Sequence, residues 1–194
     1  LSELEGLPGT VFTGYPMGGA NPDLGTSVTA RPLRLIHNDS ILLLDRTCFY
    51  AEAGGQVGDT GQIHGSGFRF NVTATRKSGQ YILHYGEVVE GSAAALPDTV
   101  EVEVPVSRRL DIMANHTATH ILHWALQQVL GEHATQQGSA VEPDKLRFDF
   151  VHHNRLSEED LARIEWMVNE QILAGASVQT SEMDLESARP SGAM

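Results

Sequence analysis

Two histidines, His116 and His120, lie four positions apart in a stretch with helical periodicity. Residues four apart in an α-helix lie on one face about one turn apart, so both imidazoles can reach a single Zn²⁺ ion. A tetrahedral site needs three or four ligands, and no Cys-x-x-Cys pair follows. Thr117 stands where the HExxH metalloprotease motif has glutamate. The pattern alone leaves open both metal binding and a solvated face with chance histidines.

Polar side chains near this pair could bind a substrate. The hydroxyl of Thr119, beside His120, could bond a polar substrate group, or it could bond its own helix carbonyl, which the pattern alone favours. The run QQGS places two amides, a glycine and a hydroxyl together between Gln136 and Ser139. Such a run is equally typical of a substrate site and of a polar surface bulge.

A glycine-rich segment, YAEAGGQVGDTG, spans residues 50–61. It is neither a P-loop nor a dinucleotide loop, because no Lys-Ser/Thr and no helix follows it. A series of tight turns and a functional loop are both open interpretations. Cys48 precedes it in an apolar stretch and is interpreted as a small buried hydrophobic residue.

The elements that must hold these residues differ along the chain. Up to about Val106, short strands alternate with turns. Phe68, Phe70 and Val72 have the period of a strand, and Ser78-Gly79 is a turn. We therefore expect a small β-barrel over residues 1–106.

The second part is predicted to open with a helix that begins at a Ser107 N-cap and ends at Gly131. His116, His120 and His123 share its polar face. The predicted buried stripe consists of Leu110, Ala114, Thr117, Ile121 and Ala125.

A hairpin is expected next, over about 134–141 and 145–151. A second helix then begins at Ser157, with Asp160 three residues on, and ends at Gly175. Its predicted buried face contains Leu161, Ile164, Val168 and Ile172. Helices and strands together predict an α+β core over residues 107–194.

Composition excludes several classes of protein. The 194 residues carry 25 acidic and 13 basic side chains, a net charge of −12, so general charge attraction cannot supply a strong grip on nucleic acid. One cysteine cannot form an internal disulfide, which indicates a reducing compartment, and we expect a cytoplasmic protein. No apolar run approaches the roughly 18 residues of a membrane span, so no membrane partner is expected.

Four runs of sequence together resemble parts of a known family. The runs NHTATHILH (115–123), QQGS (136–139) and LRFDF (146–150) resemble the editing domain of bacterial-type alanyl-tRNA synthetases. The run FYAEAGGQVGDTG (49–61) resembles the motif of the small barrel that precedes that domain. The resemblance extends from about Val11 to Met194. Stand-alone editing proteins of the AlaX type and the threonyl-tRNA synthetase editing domain share the fold and the HxxxH pair.

The resemblance implies hydrolysis of tRNA(Ala) mischarged with serine, and of Gly-tRNA(Ala), by a part of a ligase that works with the other synthetase domains. It implies that His116 and His120 bind Zn²⁺. It also implies that Thr119 and Gln136 line the aminoacyl pocket, with Ser139 assisting.

One departure from the family pattern bears on activity. The remaining family ligands come from a Cys-x-x-x-His motif that this sequence lacks, so we expect a truncated fragment with an incomplete zinc site. Two hypotheses stay open beside the editing hydrolase of a ligase. One is a stand-alone AlaX-type editing protein, and the other is a non-catalytic tRNA-docking module. An unrelated zinc hydrolase is disfavoured, because no general-base carboxylate accompanies the histidines.

Overall fold

Strands fill the first part of the chain in the computed structural model, which describes residues 4–15, 24–178 and 183–188. The strands in chain order are β1 (Val11–Phe12), β2 (Ser27–Ala30), β3 (Pro32–Ile36), β4 (Ile41–Leu44), β5 (Arg46–Thr47), β6 (Gly61–Gly65), β7 (Phe68–Ser78), β8 (Tyr81–Glu90) and β9 (Val100–Glu103). A short 3₁₀ helix, Ala93–Ala95, separates the last two. Strands β1 and β5 pair in parallel.

The other seven strands form one antiparallel sheet in the spatial order β2-β9-β6-β7-β8-β4-β3. Its two edge strands, β2 and β3, are separated in sequence by Arg31 alone, so the sheet curls into a half-barrel. The predicted strand alternation is confirmed, because Phe68, Phe70 and Val72 are buried in the core on the inner face. Cys48 is also buried there, and burial raises the pKa of its thiol to about 12.

The later elements are α1 (Val106–Leu130), β10 (Gln136–Val141), β11 (Leu146–Phe150), α2 (Glu158–Ala174) and α3 (Leu185–Ala188). A second core forms where the hairpin β10–β11 and α2 pack on the C-terminal half of α1. Within the described ranges, no helix is long and apolar enough to cross a membrane. The structure thus agrees with an α+β chain, while the division into two domains at Val106 stays a prediction.

The two helix starts differ in how well they were predicted. The Ser157 hydroxyl accepts the Asp160 amide, and Asp160 bonds back to the Ser157 amide, so the predicted capping box is confirmed. The predicted Ser107 cap is wrong, because the N-cap is Pro105, two residues earlier, and α1 begins at Val106. Only Val104 and Pro105 separate β9 from α1, and the Pro105 carbonyl accepts the first helical hydrogen bond from the Arg109 amide.

The predicted buried face of α1 is also wrong over its N-terminal half. Leu110 is 45% exposed, whereas Arg109, Ile112 and Thr119 are buried. Arg109 can occupy the buried side because partners distant in sequence satisfy its guanidinium, a condition that helical periodicity does not detect. Thr119 is satisfied within its own helix, by the Asn115 carbonyl. In α2, Ile164 is buried as predicted, but Leu161 and Ile172 are about half exposed.

A fully buried imidazole, His84 on β8, is held neutral inside the half-barrel. Its Nδ1 lies 3.0 Å from the Leu42 carbonyl oxygen, which can only accept, so Nδ1 carries the proton. The Thr47 hydroxyl lies 2.8 Å from Nε2, and its oxygen accepts the Phe49 amide. Burial lowers the pKa of His84 from 6.5 to about 4.

We expect His84 to make the free energy of unfolding depend on pH. The unfolded chain binds the proton first as pH falls, so stability is full above pH 6.5 and is lost towards pH 4. The expected loss between pH 7 and pH 5 is about 2 kcal/mol. Urea unfolding at pH 7 and at pH 5 measures this change in the free energy of unfolding. In His84→Gln the change should be smaller by about 2 kcal/mol. Replacement of the exposed His37 by Gln should leave it unchanged, and equal behaviour of the two variants would contradict the assignment.

Candidate functional site

The glycine-rich loop reaches from the half-barrel to the hairpin. Val141 of β10 donates its amide to the Gly55 carbonyl at 2.8 Å, and the Val57 amide donates to the Val141 carbonyl at 3.1 Å. Gln56 thereby pairs with Val141 in a parallel bridge. The loop therefore acts as a short extra strand beside the hairpin, and it contains a tight turn at Gly54 and Gly55, so the tight-turn and functional-loop interpretations both stay open.

A buried ion pair fixes the same loop to α1. The Arg109 guanidinium lies 2.6 Å from Asp59 Oδ2, and both side chains are buried. The Arg109 nitrogens also donate to the carbonyls of Gly14 and Cys48, while Asp59 Oδ2 accepts the Tyr50 amide at 2.7 Å. Buried charges persist when they are paired and bonded in this way. The start of α1 is thus held against the half-barrel.

The predicted histidine pair lies at this junction. The rings of His116 and His120 stack with centroids 5.3 Å apart and planes 15° apart. His116 is half-buried, and His120 is exposed. Partial burial, with a smaller contribution from the His120 charge, lowers the pKa of His116. The lowered pKa favours the neutral form of His116, which is the form that binds metals.

Gln56 orients the His116 ring. Its Oε1 lies 2.7 Å from His116 Nδ1, and because an amide oxygen only accepts, Nδ1 carries the proton and leaves the Nε2 lone pair free. This is the arrangement in which an outer hydrogen bond prepares an imidazole to ligate a metal. The side chains of His116 and His120 can therefore occupy two of the coordination positions of one zinc ion.

The described residues do not complete a zinc site. Among residues 4–15, 24–178 and 183–188, no group of three or more His, Cys, Asp or Glu side chains could hold a metal ion. The two imidazoles therefore fit half of a tetrahedral ligand set.

The structure brings Gln136 and Ser139 together and places the loop against them. Gln136 Nε2 donates to Ser139 Oγ at 3.0 Å. Gly55 has a φ of +82°, and a Cβ there would lie 2.5 Å from the Ser139 carbonyl oxygen, so only glycine fits. A Cβ on Gly138 would meet the Asp149 carboxylate at 2.9 Å. The strand register also shifts between Gln136 and Gly138, so the run forms a bulge, and the substrate-site and surface-bulge interpretations both stay open.

Thr119 is buried and bonds within its own helix. Its hydroxyl donates to the Asn115 carbonyl at 2.8 Å, as the pattern alone favoured. The side chain is 7% exposed, so a substrate group could reach only the remaining lone pairs of the hydroxyl oxygen. The Asn115 amide in turn donates to the carbonyls of Glu142 and Pro143 and ties α1 to the hairpin turn.

Three residues of this junction were not singled out from the sequence: Gln56, Asp59 and Asn115. Gln56 and Asp59 lay inside a noted loop, but their partners are 60 and 50 residues away. His123 was assigned to a polar face, yet its ring lies 5.0 Å from that of Phe148, and the histidine face of α1 meets the hairpin. The many glycines of the loop were the available signal for close backbone contact.

We expect Gln56→Met to release the His116 ring from its fixed tautomer. The thioether of methionine cannot replace the 2.7 Å hydrogen bond that the Gln56 amide oxygen accepts from His116 Nδ1. The ring proton should therefore distribute between Nδ1 and Nε2. Ring ¹⁵N shifts measured by NMR would report this. Gln62→Met, in the exposed Gln62–Asn71 contact, is the matched control. An unchanged Nδ1–H tautomer in Gln56→Met would show that Gln56 does not orient the ring.

Comparison with known proteins agrees with the resemblance. A family model described as tRNA synthetases class II (A) matches residues 30–108. The alanine–tRNA ligase of Legionella pneumophila (strain Lens) is 48% identical over 153 residues, which is 79% of this chain and 18% of that relative. The chain belongs to the alanyl-tRNA synthetase family.

This family membership covers the half-barrel most directly, because the matched model runs from the end of β2 into the start of α1. The chain spans about 18% of the length of the alanyl-tRNA synthetase it matches. The reaction that the full-length relative catalyses is therefore only a proposal for this chain.

Proposed function

We propose that this chain is the editing part of an alanine–tRNA ligase and hydrolyses the ester of Ser-tRNA(Ala), and of Gly-tRNA(Ala). The observation that carries the proposal is the junction itself. One loop bonds His116 through Gln56 and contacts Ser139 through Gly55, so helix and hairpin residues converge on one place. The 48% identity to an alanine–tRNA ligase supports the choice of tRNA.

The chemistry of alanine selection gives this proposal its purpose. A pocket shaped for alanine cannot strongly reject serine, because an added hydroxyl changes binding by only about 100-fold. A second, hydrolytic site can remove the error if one of its polar groups pairs with the seryl hydroxyl. That group is left unpaired when alanine enters, which costs about 1–3 kcal/mol.

Each proposed role follows from a contact in this chain. Gln136 and Ser139, already bonded to each other, offer an amide and a hydroxyl to the aminoacyl group. Thr119 donates its proton to Asn115, so it would accept a hydrogen bond from the seryl hydroxyl. His116 and His120 would hold Zn²⁺, which when bound polarises an ester or a water. Gln56 keeps the His116 Nε2 lone pair available.

A second candidate is a non-catalytic module that docks tRNA beside other synthetase domains. The specific observation in its favour is that the described residues supply only two metal ligands of the HxxxH type. Ester hydrolysis by a zinc-loaded protein carrying this chain would decide against it.

The test of the proposed function is the ratio of deacylation rates for Ser-tRNA(Ala) and Ala-tRNA(Ala), measured in a complete synthetase that carries this chain. Thr119→Val removes the accepting oxygen, so we expect the ratio to fall by about 5- to 150-fold. Thr119→Ser should keep it. Thr117→Val, a half-buried threonine two residues away, is the matched control. An unchanged ratio in Thr119→Val would exclude the role given to Thr119, even if both rates fell.

A further inference from the structure

The helix α2 carries apolar side chains on two opposite faces. Its inward face packs in the second core through Ile164, Met167 and Val168. Successive residues of an α-helix are about 100° apart around the axis, so Trp166 and Leu173 lie about 200° and 180° from Ile164. The face of α2 that points away from the core is therefore apolar as well.

The outward side chains of α2 are exposed. Trp166 is 62% exposed and Leu173 is 86% exposed, and the exposed Ala162 lies on the same side, one turn before the tryptophan. We call Ala162, Trp166 and Leu173 the outer α2 face, with Asn169 as the polar residue between them. Every residue over 169–178 is exposed, so the end of the helix extends past the core. A helix that is apolar on opposite sides is typical of an element that packs between two bodies.

Acidic side chains surround the outer α2 face. The helix contains five acidic residues and one basic residue, Arg163. Glu165 lies on one side of the face, and Glu159 and Glu170 lie on the other. Within the part of the chain that the structure describes, none of these four charged side chains forms an ion pair. The charge pattern therefore fits a partner that carries lysine or arginine around an apolar centre.

The size of the outer α2 face decides between kinds of partner. A buried tryptophan removes about 150–250 Å² from solvent, so its three apolar side chains can bury on the order of 400 Å². Stable complexes of separate proteins bury about 800 Å² on each partner. A second copy of this chain, or a separate protein, would therefore bind only weakly through this face. A body on the same polypeptide needs less area, because the linkage keeps its local concentration high.

The family supplies such a body. The alanine–tRNA ligase relative is matched over 18% of its length, so most of that polypeptide lies outside the matched part. We propose that the outer α2 face docks on another part of the full-length synthetase, through an apolar patch with basic side chains around it. Because α2 shares its core with α1 and the hairpin, this docking fixes their position relative to the rest of the enzyme. The proposal uses the family membership and does not depend on ester hydrolysis.

The test compares hydroxyl-radical oxidation of Trp166 in the purified complete synthetase and in the 194-residue chain. Mass spectrometry of the digested protein measures the oxidation rate of the peptide that contains this residue. The rate follows the exposed area of the indole, so docking should lower it by about fivefold or more. Trp124, which is half-buried in the second core, is the internal reference and should oxidise at the same rate in both proteins.

Matched substitutions test the cause of the protection. Leu173→Asp places a carboxylate in the apolar patch, so the Trp166 rate in the synthetase should return to that of the 194-residue chain. Val89→Asp changes a side chain on β8 that is 53% exposed, and it should keep the protection. Glu165→Lys brings a cation to the basic rim of the partner and should weaken the protection. Glu87→Lys, at an exposed position on β8, should not weaken it.

Three results would overturn the inference. The first is an equal Trp166 oxidation rate in the synthetase and in the 194-residue chain, and the second is protection that persists in both Leu173→Asp and Glu165→Lys. The third is a dimer of the 194-residue chain, seen by sedimentation velocity, that dissociates in Leu173→Asp, because it would assign the face to a second copy. Failure of the proposed function looks different, since a synthetase that does not hydrolyse Ser-tRNA(Ala) would still protect Trp166.

Discussion

Replacing Arg109 by Met is expected to lower the free energy of unfolding by about 3–5 kcal/mol, because it leaves the buried Asp59 carboxylate without its countercharge. The substitution also removes the donors to the Gly14 and Cys48 carbonyls. Equilibrium urea unfolding, followed by circular dichroism, measures the loss.

The matched control is Arg69→Met. Arg69 and Glu90 also form an ion pair, but at 3.9 Å and with both side chains more than half exposed. Such surface pairs contribute at most about 1 kcal/mol. Arg109→Met combined with Asp59→Leu should recover part of the loss, since no unpaired charge is then buried. A loss for Arg109→Met no larger than for Arg69→Met would show that the ion pair does not hold α1 to the half-barrel.

Zinc is expected to bind the 194-residue chain with a Kd above about 1 µM at pH 7. Complete structural zinc sites gain about 10–16 kcal/mol on binding, but His116 and His120 supply two ligands and leave the other positions to water. Competition with a fluorescent chelator, together with the zinc content after dialysis, gives the affinity and stoichiometry. A chain extended past Met194 to include a Cys-x-x-x-His motif should bind at least about 1,000-fold more tightly.

The double variant His116→Ala/His120→Ala should lose the weak binding. His133→Ala should not, although His133 stacks on His152 elsewhere in the molecule. Tight, stoichiometric zinc in the 194-residue monomer would show that the two-ligand account of the site is wrong.

Sequence patterns predicted those features of the fold that depend on interactions between residues close together in the sequence. The alternation of Phe68, Phe70 and Val72 is a property of one strand, and the capping box of Ser157 and Asp160 lies within four residues. Both are confirmed. The same holds for the turn after Ser78, where β7 ends before β8 begins at Tyr81.

The buried face of α1 could not be predicted in this way. Its periodicity pointed to Leu110, but the buried side carries Arg109 because Asp59 neutralises it from 50 residues away. For the site, the sequence named His116, Gln136 and Ser139, and the structure pairs the last two. It gave no indication of Gln56, whose contact with His116 exists only after the loop and the helix have met.

The loop that joins the half-barrel to α1 and the hairpin also determines when the site can form during folding. The Gly55 carbonyl can form its hydrogen bond only after Val141 has been made, and the Gln56 side chain only after His116 has been made. Forming these contacts closes chain segments that are dozens of residues long. Closing such segments costs chain entropy before any contact repays it. On the ribosome, the half-barrel strands are complete before Val141 has been made. Until α1 and the hairpin have been made, the half-barrel therefore exposes to solvent an unpaired loop edge and the Asp59 carboxylate, which is buried in the complete structure.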